Sequence, residues 1–324
     1  MTRMPLPPIR LGQRYSVRVV DEGGERRDLV GTLVAAEAST WTLLPEDRGP
    51  EVVEVAAVRG MRAVPPRVVR PASSADAVQR LAARGWPGSA QRRLGGWLLR
   101  FGGGDTKRAN SVLVAGTLDR PLGDAIEAVR DAYEAEGLRP TAQISFPLTG
   151  PTDPATDVDA ELARRGWELV EPSITYVADL RRLPTLTPGP APDVRTSWRD
   201  APSPEWSALA DADRRGPAKD VLTAAPARYL VLTGADDGRP VARARLAIVD
   251  DWGGVSDVVV APALRRRGLG RAAMDAVVVE ARRLGLRFGY LQVVQANTAA
   301  VGLYDAGGWR PHHRYHYRVA PARG

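Results

Sequence analysis

Cysteine is absent from the chain, which removes disulfides, thiolate nucleophiles, zinc fingers and iron–sulfur clusters together. Any metal site would have to be built from histidine and carboxylates. Lysine is nearly absent as well: of 45 basic residues only Lys107 and Lys219 are lysine, and phenylalanine occurs three times. This arginine-, glycine- and proline-rich bias is that of a GC-rich coding sequence. It supplies much of the formal charge of +7, which would otherwise point to an acidic partner such as nucleic acid or a phosphorylated cofactor. No apolar run approaches the roughly 18 residues of a membrane-spanning helix, and Met1 to Arg10 lacks the apolar core of a signal peptide, so a cytoplasmic protein is expected. A length of 324 residues with 44% hydrophobic and 26% charged residues predicts two or three globular domains.

Residues 9 to 64 alternate as short strands: Tyr15 to Val20, Leu29 to Ala36, Trp41 to Leu44 and Val52 to Ala56, with Glu22-Gly23-Gly24 as a turn. They predict an all-β small barrel over 1–66, acting as an accessory module. Pro65, Pro66 and Pro71 break the pattern, and Ser73 or Ser74 can cap a helix through Val78 and Leu81. A linker with four prolines in Pro184 to Pro192 separates two further units, 72–182 and 192–324. The later one reads as strand Val194 to Trp198, helical segments from Pro204 to Ala224, and strands Tyr229 to Thr233, Val241 to Val249 and Val255 to Val260. Helix Leu269 to Leu284, strand Phe288 to Val294, helix Thr298 to Ala306 and strand His312 to Val319 complete it. The earlier one ends in the same order, with strand Ser111 to Ala115, helix Leu122 to Glu136, strand Thr141 to Phe146, helix Val158 to Arg165 and strand Ile174 to Leu180. Leu162-Ala163-Arg164-Arg165-Gly166-Trp167 repeats Leu303 to Trp309 with one gap, which predicts an internal duplication and a pseudo-dimer within one chain, compatible with a monomer.

The β-branched run Val258-Val259-Val260 precedes Arg265-Arg266-Arg267-Gly268-Leu269-Gly270-Arg271 and an amphipathic helix. A strand, a glycine-containing turn and a helix N-terminus gather unpaired backbone N–H groups at the positive end of a helix dipole, and arginines add charge-assisted bonds to an anion. By spacing alone the segment reads equally as a phosphate site or as a basic turn opening an ordinary helix.

These residues resemble the GNAT acetyltransferase superfamily. Arg265, Gly268 and Gly270 match its R-x-x-G-x-G loop, and Asn297, Ala300, Leu303, Tyr304, Gly308 and Trp309 match its asparagine, A-x-x-L-Y helix and following glycine-aromatic turn. The resemblance covers roughly residues 192 to 320; the earlier unit is similar to a degenerate copy. It implies an α/β (α+β GNAT) fold with a mixed central sheet, and N-acetyl transfer from acetyl-CoA to a primary amine. Strand residues Val258 and Val260 would pair with the pantetheine arm, the segment Arg265, Arg266, Arg267, Gly268, Leu269, Gly270 and Arg271 would hold the pyrophosphate, and Asn297 would lie against the cofactor. Tyr304 would protonate the departing thiolate, the alternative being a tyrosine that only packs its helix, and a donor such as the Val260 N–H would meet the oxyanion.

The general base is less legible. Asp257 precedes the cofactor strand and is the candidate, while Asp250 and Asp251 read as a turn and Glu280 lies far along its helix. His312, His313 and His316 alternate on a strand and do not converge on a metal; His313 or Tyr315 is a possible acceptor contact. Gly96 to Arg100 and Thr106 to Ser111 read as a hairpin whose Trp97, Arg108 and Asn110 are further candidates. The acceptor, a small molecule or a protein lysine, is not specified by the sequence. A non-catalytic acyl-CoA sensor and a nucleic-acid-binding adaptor are the alternative classes; the mixed charges of the barrel segment speak against the second.

Overall fold

The computed structural model describes residues 9–21, 23–65, 68–102, 106–149, 154–184, 193–209 and 219–322. The chain divides into two compact units: Met1–Val68 with Arg93–Leu98 and Ala115–Ala128, and Val69–Arg92 with Leu99–Val114 and Val129–Gly324.

The first unit holds β1 (Arg14–Val20), β2 (Arg26–Ala36), β3 (Thr40–Leu44), β4 (Glu51–Glu54) and β5 (Val58–Ala63) in an antiparallel sheet of order β4-β3-β2-β1-β5. Period-2 alternation turns Tyr15, Val17 and Val19 of β1 onto Leu29 and Leu33 of β2, and Trp41, Leu43, Val53 and Val58 close the same core. Strand β5 is absent from the sequence reading because its Val-Arg-Gly-Met-Arg-Ala run buries only its first residue. Val55, expected in a strand, instead opens a single 3-10 turn, Val55–Ala57. The arginines of this sheet face carboxylates, Arg18 to Asp28 at 2.8 Å and Arg27 to Glu51 at 3.0 Å, so its surface carries both signs.

The rest of the chain forms α1 (Ala75–Gly85), β6 (Ala90–Leu94), β7 (Trp97–Phe101), β8 (Val112–Val114), α2 (Leu122–Glu134), β9 (Thr141–Pro147), α3 (Pro154–Arg164), β10 (Glu168–Asp179), β11 (Val194–Arg199), α4 (Pro204–Ala208), α5 (Lys219–Thr223), β12 (Ala227–Gly234), β13 (Pro240–Val249), β14 (Trp252–Val260), α6 (Leu269–Arg283), β15 (Phe288–Val294), α7 (Thr298–Ala306) and β16 (Arg310–Val319). Serine and asparagine caps start three of the helices: Ser74 accepts from Ala77 N–H, Ser203 from Trp206 N–H and Asn297 from Ala300 N–H. The hairpin is β6–β7, turning at Gly95 and Gly96; Lys107–Ala109, read from sequence as a strand arm, is a 3-10 turn. Residues 185–192 of the linker and 210–218 of the expected helical region lie outside the described residues. Among the described residues no helix is long and apolar enough to cross a membrane.

The duplication is visible as β8-α2-β9-α3-β10 against β14-α6-β15-α7-β16. In each copy the strands flanking the first helix pair in parallel, Val112↔Ala142 and Trp252↔Phe288. Helices α3 and α7 also stop alike. Gly166 (φ +76°) and Gly308 (φ +80°) take the left-handed conformation that glycine adopts without a Cβ penalty, and Trp167 and Trp309 N–H donate five residues back to Leu162 and Tyr304. This register places Leu162, not Ala163, where the later copy has Tyr304, because the helix end is fixed from the tryptophan and tolerates no gap.

The two copies exchange their last strands. In the sheet order β11-β12-β13-β14-β15-β10-β16-β9-β8-β7-β6, strand β10 of the earlier copy pairs with β15 of the later one (Ser173↔Val294), and β16 pairs with β9 (His313↔Pro147). The segments 72–182 and 192–324 thus share one sheet. A core of Leu246, Val255, Leu269, Met274, Val277, Leu291, Tyr304 and Trp309 fixes α6 and α7 against its C-terminal half.

Candidate active site

Parallel pairing of β14 with β15 runs from Trp252↔Phe288 to Val255↔Leu291 and stops, although β14 continues to Val260 and β15 to Val294. Two strands that part leave main-chain groups without a ladder partner. On the other side β14 stays paired with β13 (Ala242↔Val260, Arg243↔Val259), and Ala261 N–H donates to Val241 O. Alternation then turns Val259 toward β13 and Val258 and Val260 toward the opening. A bulge centred on Asp257 (φ +51°) re-aims the strand at this point.

The opening leads to the R-x-x-G-x-G segment. Pro262–Leu264 makes one 3-10 turn, Arg266 (φ +65°) and Gly268 (φ +80°) take left-handed conformations, and α6 begins at Leu269. Arg265, Arg266, Arg267 and Arg271 are exposed around the helix start, and Arg265 Nε reaches Val260 O at 3.5 Å. Leu269 anchors the turn from below, 5% exposed in the core. A Cβ on Gly270 would stand 3.4 Å from Leu303 Cδ2, an ordinary contact, so the packing of α7 does not by itself require a glycine here. Asn297 uses its side-chain oxygen to cap α7.

Tyr304 lies on α7, its ring 6.0 Å from that of Tyr176, and lines a cleft between α6 and α7 with Arg271, Met274, Asp275 and Leu303. Burial pushes its hydroxyl up to about 12, so it keeps its proton at neutral pH.

On the opposite face of the sheet a small pocket, partly open to solvent, lies at the same fork, lined by Ala82, Gly85, Trp86, Arg108, Arg245, Gly254, Val255, Ser256, Tyr290 and Gln292. Ser256 and Gln292 are the residues immediately beyond the last paired register. The Tyr290 hydroxyl is seated between two glycines: a Cβ would fall 2.1 Å from it on Gly85 and 2.2 Å from it on Gly254. Arg108 and Arg245 both stack on Trp86, at 5.5 and 5.0 Å from the ring centroid. Arg245, 1% exposed, donates through Nε to Leu222 O at 3.1 Å and through Nη1 to Gly85 O at 3.0 Å. Four buried polar atoms here have no hydrogen-bond partner among the described residues: Arg108 Nε, Arg245 Nη2, Ser256 Oγ and Gln292 Oε1. Each unpaired buried polar atom costs about 1–3 kcal/mol, so these four are groups that ordered water or a ligand has to satisfy.

Gln292 is oriented by a buried chain of amides and imidazoles. Its Nε2 donates to Gln79 Oε1 at 2.9 Å, which also accepts from Gln143 Nε2 at 3.0 Å, and Gln143 Oε1 accepts from Arg100 Nη2 at 2.7 Å. Gln79 Nε2 donates to His313 Nε2 at 2.8 Å, the His313 and His312 Nδ1 atoms lie 2.6 Å apart, and His312 Nε2 donates to Ser73 O at 2.9 Å. One tautomer pattern satisfies every link: both imidazoles neutral, His312 protonated on Nε2 and His313 on Nδ1. Burial, with His312 beside it, holds His313 down at about 3.

The remaining candidates are placed as follows. Asp257 lies 3.5 Å from Arg243, whose guanidinium stacks 4.0 Å over Trp206. Glu280 is bound by Arg283 and Arg228, and Asp250 by Arg84 at 2.6 and 2.8 Å, so both serve ion pairs. Asn110 accepts from Gly102 N–H and closes a turn, whereas Arg108 lines the pocket. Tyr315 packs edge-on against Tyr317. His316 contacts Asp159 at 2.7 Å, and the described residues contain no cluster of three or more metal-ligating side chains. Trp86, Arg245, Ser256, Tyr290 and Gln292 were not anticipated from sequence, because each sits in a strand or helix end whose pattern reads as ordinary core.

A family model described as "Probable histone acetyltransferase Rv0428c C-terminal" matches residues 72–318, well over half of the chain. The "Uncharacterized N-acetyltransferase YobR" of Bacillus subtilis is 29% identical over 249 residues, covering 75% of this chain and 97% of that one. Among solved structures, a GCN5-related N-acetyltransferase from Kribbella flavida superposes with a TM-score of 0.56 at 19% identity, covering 77% of this chain and 98% of its own. A tandem GNAT protein from the clavulanic acid biosynthesis pathway superposes with a TM-score of 0.51 at 15% identity, covering 76% and 89%. With the forked strands, the glycine loop and the helix-borne tyrosine in one half of a duplicated sheet, the chain belongs to this acetyltransferase family and is a GNAT-type N-acetyltransferase.

Proposed function

We propose that the chain transfers an acetyl group from acetyl-CoA to the primary amine of an acceptor seated in the Trp86–Arg245 pocket, with one donor site per chain. The observation that carries this reading is the end of β14–β15 pairing at Val255↔Leu291, on the strand that runs into the left-handed Arg266 and Gly268 turn. Main-chain groups of Val258 and Val260 hold the pantetheine arm, and amides from Arg265 to Arg271 with the exposed arginines hold the pyrophosphate. Asn297 Nδ2, left over from capping, donates to the same ligand. Acetyl-CoA supplies an activated thioester carbonyl. The acceptor must present a neutral amine, since an ammonium has no lone pair. Nitrogen bonds to the carbonyl carbon, the carbon–sulfur bond breaks, Val260 N–H steadies the oxyanion, and Tyr304 gives its proton to the thiolate. Asp257, in the bulge next to Ser256, is the carboxylate we assign to receive the amine proton.

The earlier copy carries Gly116 to Pro121 in place of the arginine–glycine loop and Leu162 in place of the tyrosine, which supports a single donor site. Calorimetric titration with acetyl-CoA tests this directly. One equivalent should bind, and Gly268→Val, which puts a β-branched side chain at φ +80°, should weaken binding at least tenfold. Two equivalents, or unchanged affinity in a folded Gly268→Val protein, would overturn the assignment.

A further inference from the structure

Burying a guanidinium without an anion is costly, and structures normally avoid it. The pocket contains one such group, Arg245, and beside it the half-buried Arg108: no carboxylate among the described residues forms an ion pair with either, while the neighbouring Arg243 is engaged by Asp257. Arg108 Nε leaves one N–H and Arg245 Nη2 leaves two N–H bonds unsatisfied, and both guanidiniums are held against the Trp86 indole. Three N–H bonds on two planar cations can be met by the two oxygens of one carboxylate, each of which accepts more than one hydrogen bond.

The other two orphans differ in chemistry and place. Gln292 Oε1 is an acceptor aimed into the pocket because its amide nitrogen is committed to Gln79 and Thr175. Ser256 Oγ lines the same pocket, and both residues lie at the fork where an acyl group carried along Val258 to Val260 would arrive. A nitrogen bearing N–H bonds satisfies both. The space these residues bound is small and partly open to solvent, which suits a small acceptor reaching in from outside.

Resting on the transferase reading above, we propose that the acceptor is a small amino acid, its carboxylate bridging Arg108 Nε and Arg245 Nη2 and its amine meeting Gln292 Oε1 and Ser256 Oγ. The arginine pair selects the acceptor, and the Gln292–Ser256 pair presents its nitrogen to the thioester.

The test uses the full-length protein and a panel of L-amino acids and β-alanine, each paired with its primary amide, together with a lysine-containing peptide and O-phosphoethanolamine. Binding is measured by calorimetry and turnover by CoA thiol release. At least one acid should bind 100-fold more tightly than its amide, and Arg245→Gln should reduce that preference below fivefold. Arg108→Gln, at a partly exposed residue, provides the same readout if the first variant does not fold. Equal binding of acid and amide, preference for the peptide or the phosphorylated amine, or no binding by any amino acid would overturn the proposal. An acid that binds with this preference but releases no thiol would refute the transferase reading and leave the carboxylate site standing. Thiol release with amines lacking a carboxylate would do the reverse.

Discussion

Gln79 Nε2 lies 2.8 Å from His313 Nε2, and this contact sets the charge of a buried imidazole that has no carboxylate to support it. An amide N–H can only donate, so His313 must accept and remain neutral. Folded His313 titrates at about 3, whereas an exposed imidazole titrates near 6.5. Below about pH 6.5 the unfolded chain therefore binds a proton that the folded chain refuses. Stability from this group is complete above that pH and is lost as pH falls toward the folded value. Chemical denaturation should show a fall of about 2 kcal/mol between pH 7 and pH 5 from His313 alone, with His312, also lowered by burial, steepening it. In His313→Gln, which retains an acceptor, the fall should shrink by about that amount; an identical pH dependence would show that His313 takes a proton without unfolding.

Gln79 joins four strands of the sheet through one side chain. Replacing it by leucine removes the partners of Gln143 Nε2 and His313 Nε2 and leaves Gln292 Nε2 only Thr175 Oγ1 at 3.4 Å, in a site 2% exposed. With a cost of about 1–3 kcal/mol for each stranded group, the variant should lose roughly 3 kcal/mol or more in urea denaturation at pH 7. A loss under 1 kcal/mol would mean that water replaces the glutamine at little cost.

The segments proposed for the donor were legible from sequence because they are short motifs of residues near one another in the chain. Arg265, Gly268 and Gly270 announce a helix start with exposed amides, and Asn297 with Tyr304 announces the next helix, so the order of strands and helices around them followed. The acceptor half was not legible. Trp86, Arg108, Arg245, Ser256 and Gln292 come from five separate stretches of chain and meet only after the sheet has formed. Arg245 is one of many arginines, and what distinguishes it is burial, which composition does not reveal. The strand exchange was equally hidden: repeat order is written in the sequence, but β10 and β16 carry nothing local that says which copy's neighbour each will take.

Tyr304→Phe should separate catalysis from packing. A positioned general acid contributes about 100-fold to 10,000-fold, so kcat should fall by that range while acetyl-CoA affinity stays the same, the hydroxyl being needed only as the thiolate leaves. Removal of one buried hydroxyl costs stability of about 1 kcal/mol, which leaves folded protein to assay. Turnover within threefold of the parent would take Tyr304 out of the mechanism.

The central claim is that acetyl-CoA occupies the fork between β14 and β15, and amide hydrogen exchange resolved residue by residue, with and without acetyl-CoA, tests it most directly. Val258 and Val260 face the opening, while Val259 is paired with Arg243 of β13. The account predicts that acetyl-CoA slows exchange at Val258, Val260 and the amides from Arg266 to Arg271, and leaves Val259 and the corresponding strand of the earlier copy, Val112–Val114, unchanged. Unaltered exchange at Val258 and Val260 under saturating acetyl-CoA, or protection appearing instead at Val112–Val114, would contradict it.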